Sequence, residues 1–117
     1  MPALPTLDIA RLDRSGRVSA RSLLDQLGWR PGHRVRIDVI DGAVLIQATA
    51  NGRHLIGARG DLALPVAVRQ MCAVSTGDLV VLAAEPAHHL LIVHPAATVA
   101  RLLANLHTHL TADGHDR

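Results

Sequence analysis

Two short stretches decide the reading: Leu12–Ala20, "LDRSGRVSA", and Ile56–Leu64, "IGARGDLAL". Gly16 and Gly60 fall in the same column, with Leu12 over Ile56 and Val18 over Leu62. Continuing outward, Ser22–Ile37 ("SLLDQLGWRPGHRVRI") lies over Ala67–Leu82 ("AVRQMCAVSTGDLVVL"), with Gly32 over Gly77. The offset grows from 44 to 45 near Ala20, where the second copy has Leu64-Pro65. A chain with a fixed internal offset is built from repeated structural units.

Each copy reads as strand, glycine turn, strand, short helix, strand, turn, strand. Val35, Ile37 and Val39 alternate with Arg34, Arg36 and Asp38, the period of a half-buried strand. Asp41-Gly42 between two apolar runs predicts a two-residue hairpin. In the second copy the matching runs are "LVVLAA" and "LLIVH", separated by "EPAHH". The first helix presents Leu23, Leu24 and Leu27 and ends at Gly28, a residue suited to a left-handed cap. Ala73 stands in that column of the second copy and predicts a weaker cap. Pro65 suits the first turn of the second helix. The expected organisation is repeat one over 7–48, a linker near Ala48–Arg53, repeat two over 53–94, a C-terminal helix over 95–112 and a frayed tail over 113–117.

At 117 residues, half of them hydrophobic, the chain suits one domain with an aliphatic core, since Trp29 is the only aromatic residue. No apolar run approaches the roughly 20 residues that span a bilayer. The start "MPALPTLD" is unlike a signal peptide, and Cys72 is the single cysteine. These features predict a cytoplasmic, reduced protein without a membrane partner. Basic charge comes from twelve arginines and no lysine, and residues 1–50 hold seven of them. Guanidinium groups make forked contacts to phosphate and guanine that an ammonium cannot.

The pattern L-D-x-x-G-R-V, a short helix ending in L-G, then P-G-H-x-V and an Asp-Gly hairpin resembles the AbrB/MazE/SpoVT family of swapped-hairpin DNA-binding domains. Leu12, Asp13, Gly16, Arg17, Val18, Leu27, Gly28, Pro31, Gly32, Val35, Asp41 and Gly42 carry it in the first copy. Gly60, Leu62, Leu64, Pro65, Val68, Arg69, Gly77, Asp78 and Val80 carry it in the second. The resemblance implies a mainly β fold with short helices. Two internal repeats would form a swapped-hairpin β-barrel as an intramolecular pseudo-dimer, as in the related MraZ proteins. It also implies a bacterial regulator of transcription whose partner is double-stranded DNA. Its contacts would fall on Arg11, Arg14, Arg17 and Arg21 of the first copy, with Arg53, Arg59 and Arg69 of the second. The second copy is worn down, because Asp61 replaces the arginine of Arg17's column. Conversely, the family's helix arginines are Leu24 and Asp25 in the first copy. An asymmetric DNA surface follows, or a scaffold that has lost DNA binding.

The blander readings are concrete. An arginine beside a turn is ordinarily solvated, and Arg34 and Arg36 read as the wet face of a strand. Cys72 occupies Leu27's column and reads as a structural thiol, and Trp29 as cover for the core. The eight histidines include no chelating spacing: His107 and His109, two apart on a helix, do not face each other. No nucleophile–base motif, metal set or cofactor-binding motif is present, which argues against an enzyme. Val99, Leu102, Leu103, Leu106 and Leu110 recur at helical spacing and predict an amphipathic helix. That stripe must cover the barrel or meet another chain, and a homo-oligomer is the favoured use. The rival function is an antitoxin-like module that binds a toxin through this helix.

Overall fold

The computed structural model describes residues 4–115. Eight strands and three α-helices follow in order: β1 (Thr6–Arg11), β2 (Arg17–Ser19), α1 (Arg21–Leu27), β3 (Arg34–Ile40), β4 (Ala43–Ala48), β5 (His54–Leu55), β6 (Asp61–Ala63), α2 (Val66–Met71), β7 (Leu79–Glu85), β8 (Leu90–Pro95) and α3 (Ala96–His115). The fold is mainly β, and the repeat written in the sequence is written again in the elements: β1-β2-α1-β3-β4 and β5-β6-α2-β7-β8.

The hairpins form where residue type permits the backbone. Asp41 (φ 52°) and Gly42 (φ 76°) both take positive φ, as a two-residue turn between right-twisted strands requires. Helix α1 ends on Gly28 at φ 72°. Ala73, its counterpart, is held at φ 54° although it carries a Cβ, so the weaker cap is a strained one.

Apart from the hairpins β3–β4 and β7–β8, every strand pairing crosses the repeat boundary. The large sheet runs β1-β7-β8-β4-β3-β5, all antiparallel. Strand β1 of the first repeat therefore hydrogen-bonds to β7 of the second, and β5 of the second to β3 of the first. The order is a palindrome when each element is exchanged for its counterpart. Strands β2 and β6 pair with each other as a separate ribbon, Val18 opposite Leu62. Helix α1 packs on β7 and α2 on β3, again across the boundary.

Loop bonds repeat the symmetry. Ala20 N–H donates to the Gly60 carbonyl at 3.1 Å and Leu64 N–H to the Gly16 carbonyl at 2.8 Å. Leu12 N–H donates to Asp78 and Ile56 N–H to His33, each at 2.9 Å. Pro65, with no counterpart in the first copy, is the residue just before α2, as Ala20 is just before α1.

The core lies between the large sheet and the β2–β6 ribbon with α1. It draws matched pairs from both repeats: Leu12 and Ile56, Val18 and Leu62, Leu27 and Cys72, Trp29 and Val74, Val35 and Val80. Among the described residues nothing polar or charged is buried. Neither repeat could hide these side chains alone, since a unit of roughly 40 residues exposes too much surface for its volume.

Two expectations change. The paired strands do not close into a barrel: the large sheet is open, with β1 and β5 at its edges. Closure fails because β2 and β6 leave that sheet to pair with each other, and β5 is only two residues long. The linker expected at 48–53 packs closely: Gly52 lies against the backbone of Val35 so closely that a Cβ would overlap it. The C-terminal helix starts at Ala96 and continues through 113–115 to His115, where a frayed tail was expected; residues 116–117 of that tail lie outside the described residues.

Candidate functional site

The β2–β6 ribbon brings the two glycine turns side by side. A groove between them is lined by Asp13, Ser15 and Arg17 from one repeat and Gly57, Ala58, Arg59 and Asp61 from the other. Each turn also receives an arginine from the opposite repeat's helix. The Arg69 guanidinium lies over Gly16, its Cζ 2.9 Å from where a Cβ would stand, while its Nε donates to the Leu64 carbonyl at 3.0 Å. The stem of Arg21 covers Gly60 in the same way, with its Cβ and Cγ 2.9 Å from that position. Both glycines hold positive φ, 79° and 72°, so a side chain at either would be strained, and at Gly60 it would also press on the Arg21 stem.

The first turn is built around Asp13. One carboxylate oxygen, Oδ1, accepts from Ser15 N–H at 2.9 Å, the Ser15 hydroxyl at 2.7 Å and Arg17 N–H at 2.9 Å. The Arg17 amide bond, followed by that from the Ser15 side chain, holds the Asp13 carboxyl below its ordinary pKa. The second turn has no such anchor, because Gly57 occupies Asp13's column. Its space is filled from elsewhere. The Asp61 carboxylate stands where a Gly57 side chain would go. Asp61 also pairs with Arg17 across the ribbon, 3.3 Å from Nη1 to Oδ2. The carboxylate has moved from the first column of the turn to the last, displacing an arginine.

The arginines of the candidate set fall into three groups. Arg17 and Arg59 line the groove at the joined turns, Arg69 and Arg21 lie over Gly16 and Gly60, and Arg14 sits within the first turn. Within this group Arg14, Arg21 and Arg59 are exposed and make no side-chain hydrogen bond or ion pair among the described residues. Arg17 is paired with Asp61, and Arg69 is half-buried. Arg11 lies at the end of β1 and donates from Nη1 to the Gly77 carbonyl at 2.5 Å, a bond that ties the strand to the loop before β7. Arg53 is not brought to the turns. It lines a separate groove with Arg36, Asn51 and His54 at the start of β5.

Leu24 explains the missing helix arginine of the first copy: it is 1% exposed and belongs to the core, so a cation there would be buried. Arg34 and Arg36 are on the exposed side of β3, where Arg36 meets Gln47 at 2.7 Å and Asp38 at 2.9 Å. Trp29 and Cys72 are buried in the core, and burial raises the Cys72 thiol's pKa. The crossing of Arg69 and Arg21 onto opposite turns is invisible in a linear reading. A signal was nonetheless present: columns 13/57 and 17/61, taken together, show one carboxylate exchanging places.

The described residues include no group of three or more histidines, cysteines and carboxylates arranged for a metal ion. No described helix is long and apolar enough to cross a membrane. Neither a family model nor a curated protein matches the sequence.

Proposed function

We propose that this chain is a DNA-binding regulator of transcription of the AbrB/MazE/SpoVT type, with the two repeats acting as the two halves of a swapped-hairpin unit. The observation that supports it most is the joining of the two glycine turns by β2–β6, which brings Arg17, Arg21, Arg59 and Arg69 from both repeats to the two turns. Exposed guanidinium groups at that density suit a phosphate backbone.

Arg14, Arg21 and Arg59 are the free cations of this face and would carry phosphate contacts. Arg17 competes for Asp61 and for DNA at once. Arg11 and Arg53 drop to the margin, since one is tied to Gly77 and the other lies in a different groove. Asymmetry of the turns implies that the two halves would not read a duplex identically, so the preferred site need not be a palindrome.

Selection from random duplexes at two salt concentrations tests the proposal. The expected result is an enriched duplex sequence whose affinity falls with salt. With about four phosphates neutralised, affinity drops roughly a hundredfold between about 50 and 200 mM. Failure to retain any duplex at the lower concentration would refute it.

A further inference from the structure

Both glycine turns are covered by an arginine of the opposite repeat, but by different parts of it. Over Gly60 lies the stem of Arg21, its Cα, Cβ and Cγ. That arginine is exposed and makes no side-chain hydrogen bond or ion pair among the described residues. Over Gly16 lies the head of Arg69, with Nε and Nη2 each 3.1 Å from where a Cβ would stand. Arg69 sits in the last turn of α2 and is half-buried.

The bonds around the first turn close a ring. Leu64 N–H donates to the Gly16 carbonyl at 2.8 Å, and the Leu64 carbonyl accepts from Arg69 Nε at 3.0 Å. The Arg69 guanidinium then returns to Gly16 by contact. Around the second turn the ring is open. Ala20 N–H donates to the Gly60 carbonyl at 3.1 Å, but the Ala20 carbonyl accepts from Leu24 N–H at 2.9 Å as α1 begins. Leu24 stands in Arg69's column and is buried in the core, so the first copy has no guanidinium to return. Asp13 also holds the first turn from within, where the second turn has Gly57.

An Nε bonded inward and a guanidinium laid on a glycine direct Arg69 at the turn beneath it, which carries Arg14 and Arg17. A loop already held in its bound shape loses less entropy when a ligand orders it. We propose that Arg69 is a positioning residue: from the second repeat it locks the first turn, so that Arg14 and Arg17 meet a duplex already placed. The second turn, covered by an aliphatic stem alone, is the half that adapts. The consequence for DNA rests on the regulator reading; the lock itself does not.

Arg69→Met and Arg69→Lys test it. Met keeps the stem and removes the guanidinium, whereas Lys also keeps the charge but lacks the planar fork. In the free protein, hydrogen exchange of the Leu64 amide should quicken at least about fivefold in both variants, while the Ala20 amide, its counterpart, should not change. On a selected duplex both variants should bind about tenfold more weakly, with the slope of log affinity against log salt unchanged, since no phosphate contact is lost. Unchanged exchange at Leu64 overturns the lock. A Met variant whose salt slope falls by about one, beside a Lys variant of parental affinity, makes Arg69 a phosphate contact and overturns the positioning role. A parent that retains no duplex refutes the regulator reading alone, and the exchange measurement still decides whether Arg69 locks the turn.

Discussion

The turn at Asp13–Arg17 and the turn at Gly57–Asp61 have the same backbone and different chemistry. Asp13 N–H donates to Arg17 O and Gly57 N–H to Asp61 O, both at 2.9 Å. In one turn the carboxylate sits at the first position and organises three donors. In the other it sits at the last, covers an empty glycine and neutralises the first turn's arginine. A backbone can therefore be kept while its charges are exchanged, provided the partner turn absorbs the change. Erosion of the second copy is better described as a division of labour: it has a carboxylate where the first copy has Arg17, and that carboxylate is the counter-ion of Arg17.

The largest effect expected from breaking this arrangement comes from Gly57→Asp. Restoring the first turn's aspartate forces the Asp61 carboxylate aside and sets two carboxylates together. The cost should be about 1–2 kcal/mol in denaturant unfolding. Adding Asp61→Arg, which rebuilds the first turn completely, should recover most of it, because the two sites share one contact. Additive losses in the double variant would mean that the turns are independent.

A smaller change sharpens the comparison between the helices. Gly28 and Ala73 both hold positive φ, but only the glycine does so without steric cost. Ala73→Gly should stabilise the protein by about 0.5–1 kcal/mol and Gly28→Ala should destabilise it by a similar amount. Thermal unfolding of the two variants measures both signs.

The smallest stability effect belongs to Asp61→Asn. Arg17 is 42% exposed at the side chain, so the lost ion pair should cost less than about 1 kcal/mol. Its effect on DNA should run the other way. Freed from its counter-ion, Arg17 gains a phosphate, and affinity for a selected duplex should rise about threefold to fivefold at low salt. Unchanged affinity, measured by fluorescence anisotropy, would place Arg17 outside the contact.

Most of the fold was legible because the backbone's demands are written in residue type. Gly16 and Gly60 announce turns at positive φ that favour glycine, Asp41-Gly42 a hairpin, and Leu12, Val18 and Trp29 a core whose partners recur one repeat later. The crossed pairing was legible only through the family resemblance and the need of each repeat for a partner. Closure was not legible, since it depends on β5 stopping after two residues and on β2 choosing β6. The site was half legible. Arginines near glycine turns were visible, but the pairing of Arg17 with Asp61 and the folding of Arg69 over Gly16 join residues 44 and more apart. Arg53, close to Gly57 along the chain, lies in a separate groove with Arg36 and His54, which a linear reading does not show. The α3 leucines were legible as a stripe in the sequence.

The central claim is that the joined turns form one phosphate-binding face. The most direct measurement is the salt dependence of duplex binding for Arg59→Ala and Arg21→Ala beside Arg36→Ala. The account predicts that the slope of log affinity against log salt falls by about one in each of the first two and is unchanged in the third. Equal slopes in all three, or a fall confined to Arg36→Ala, would contradict it.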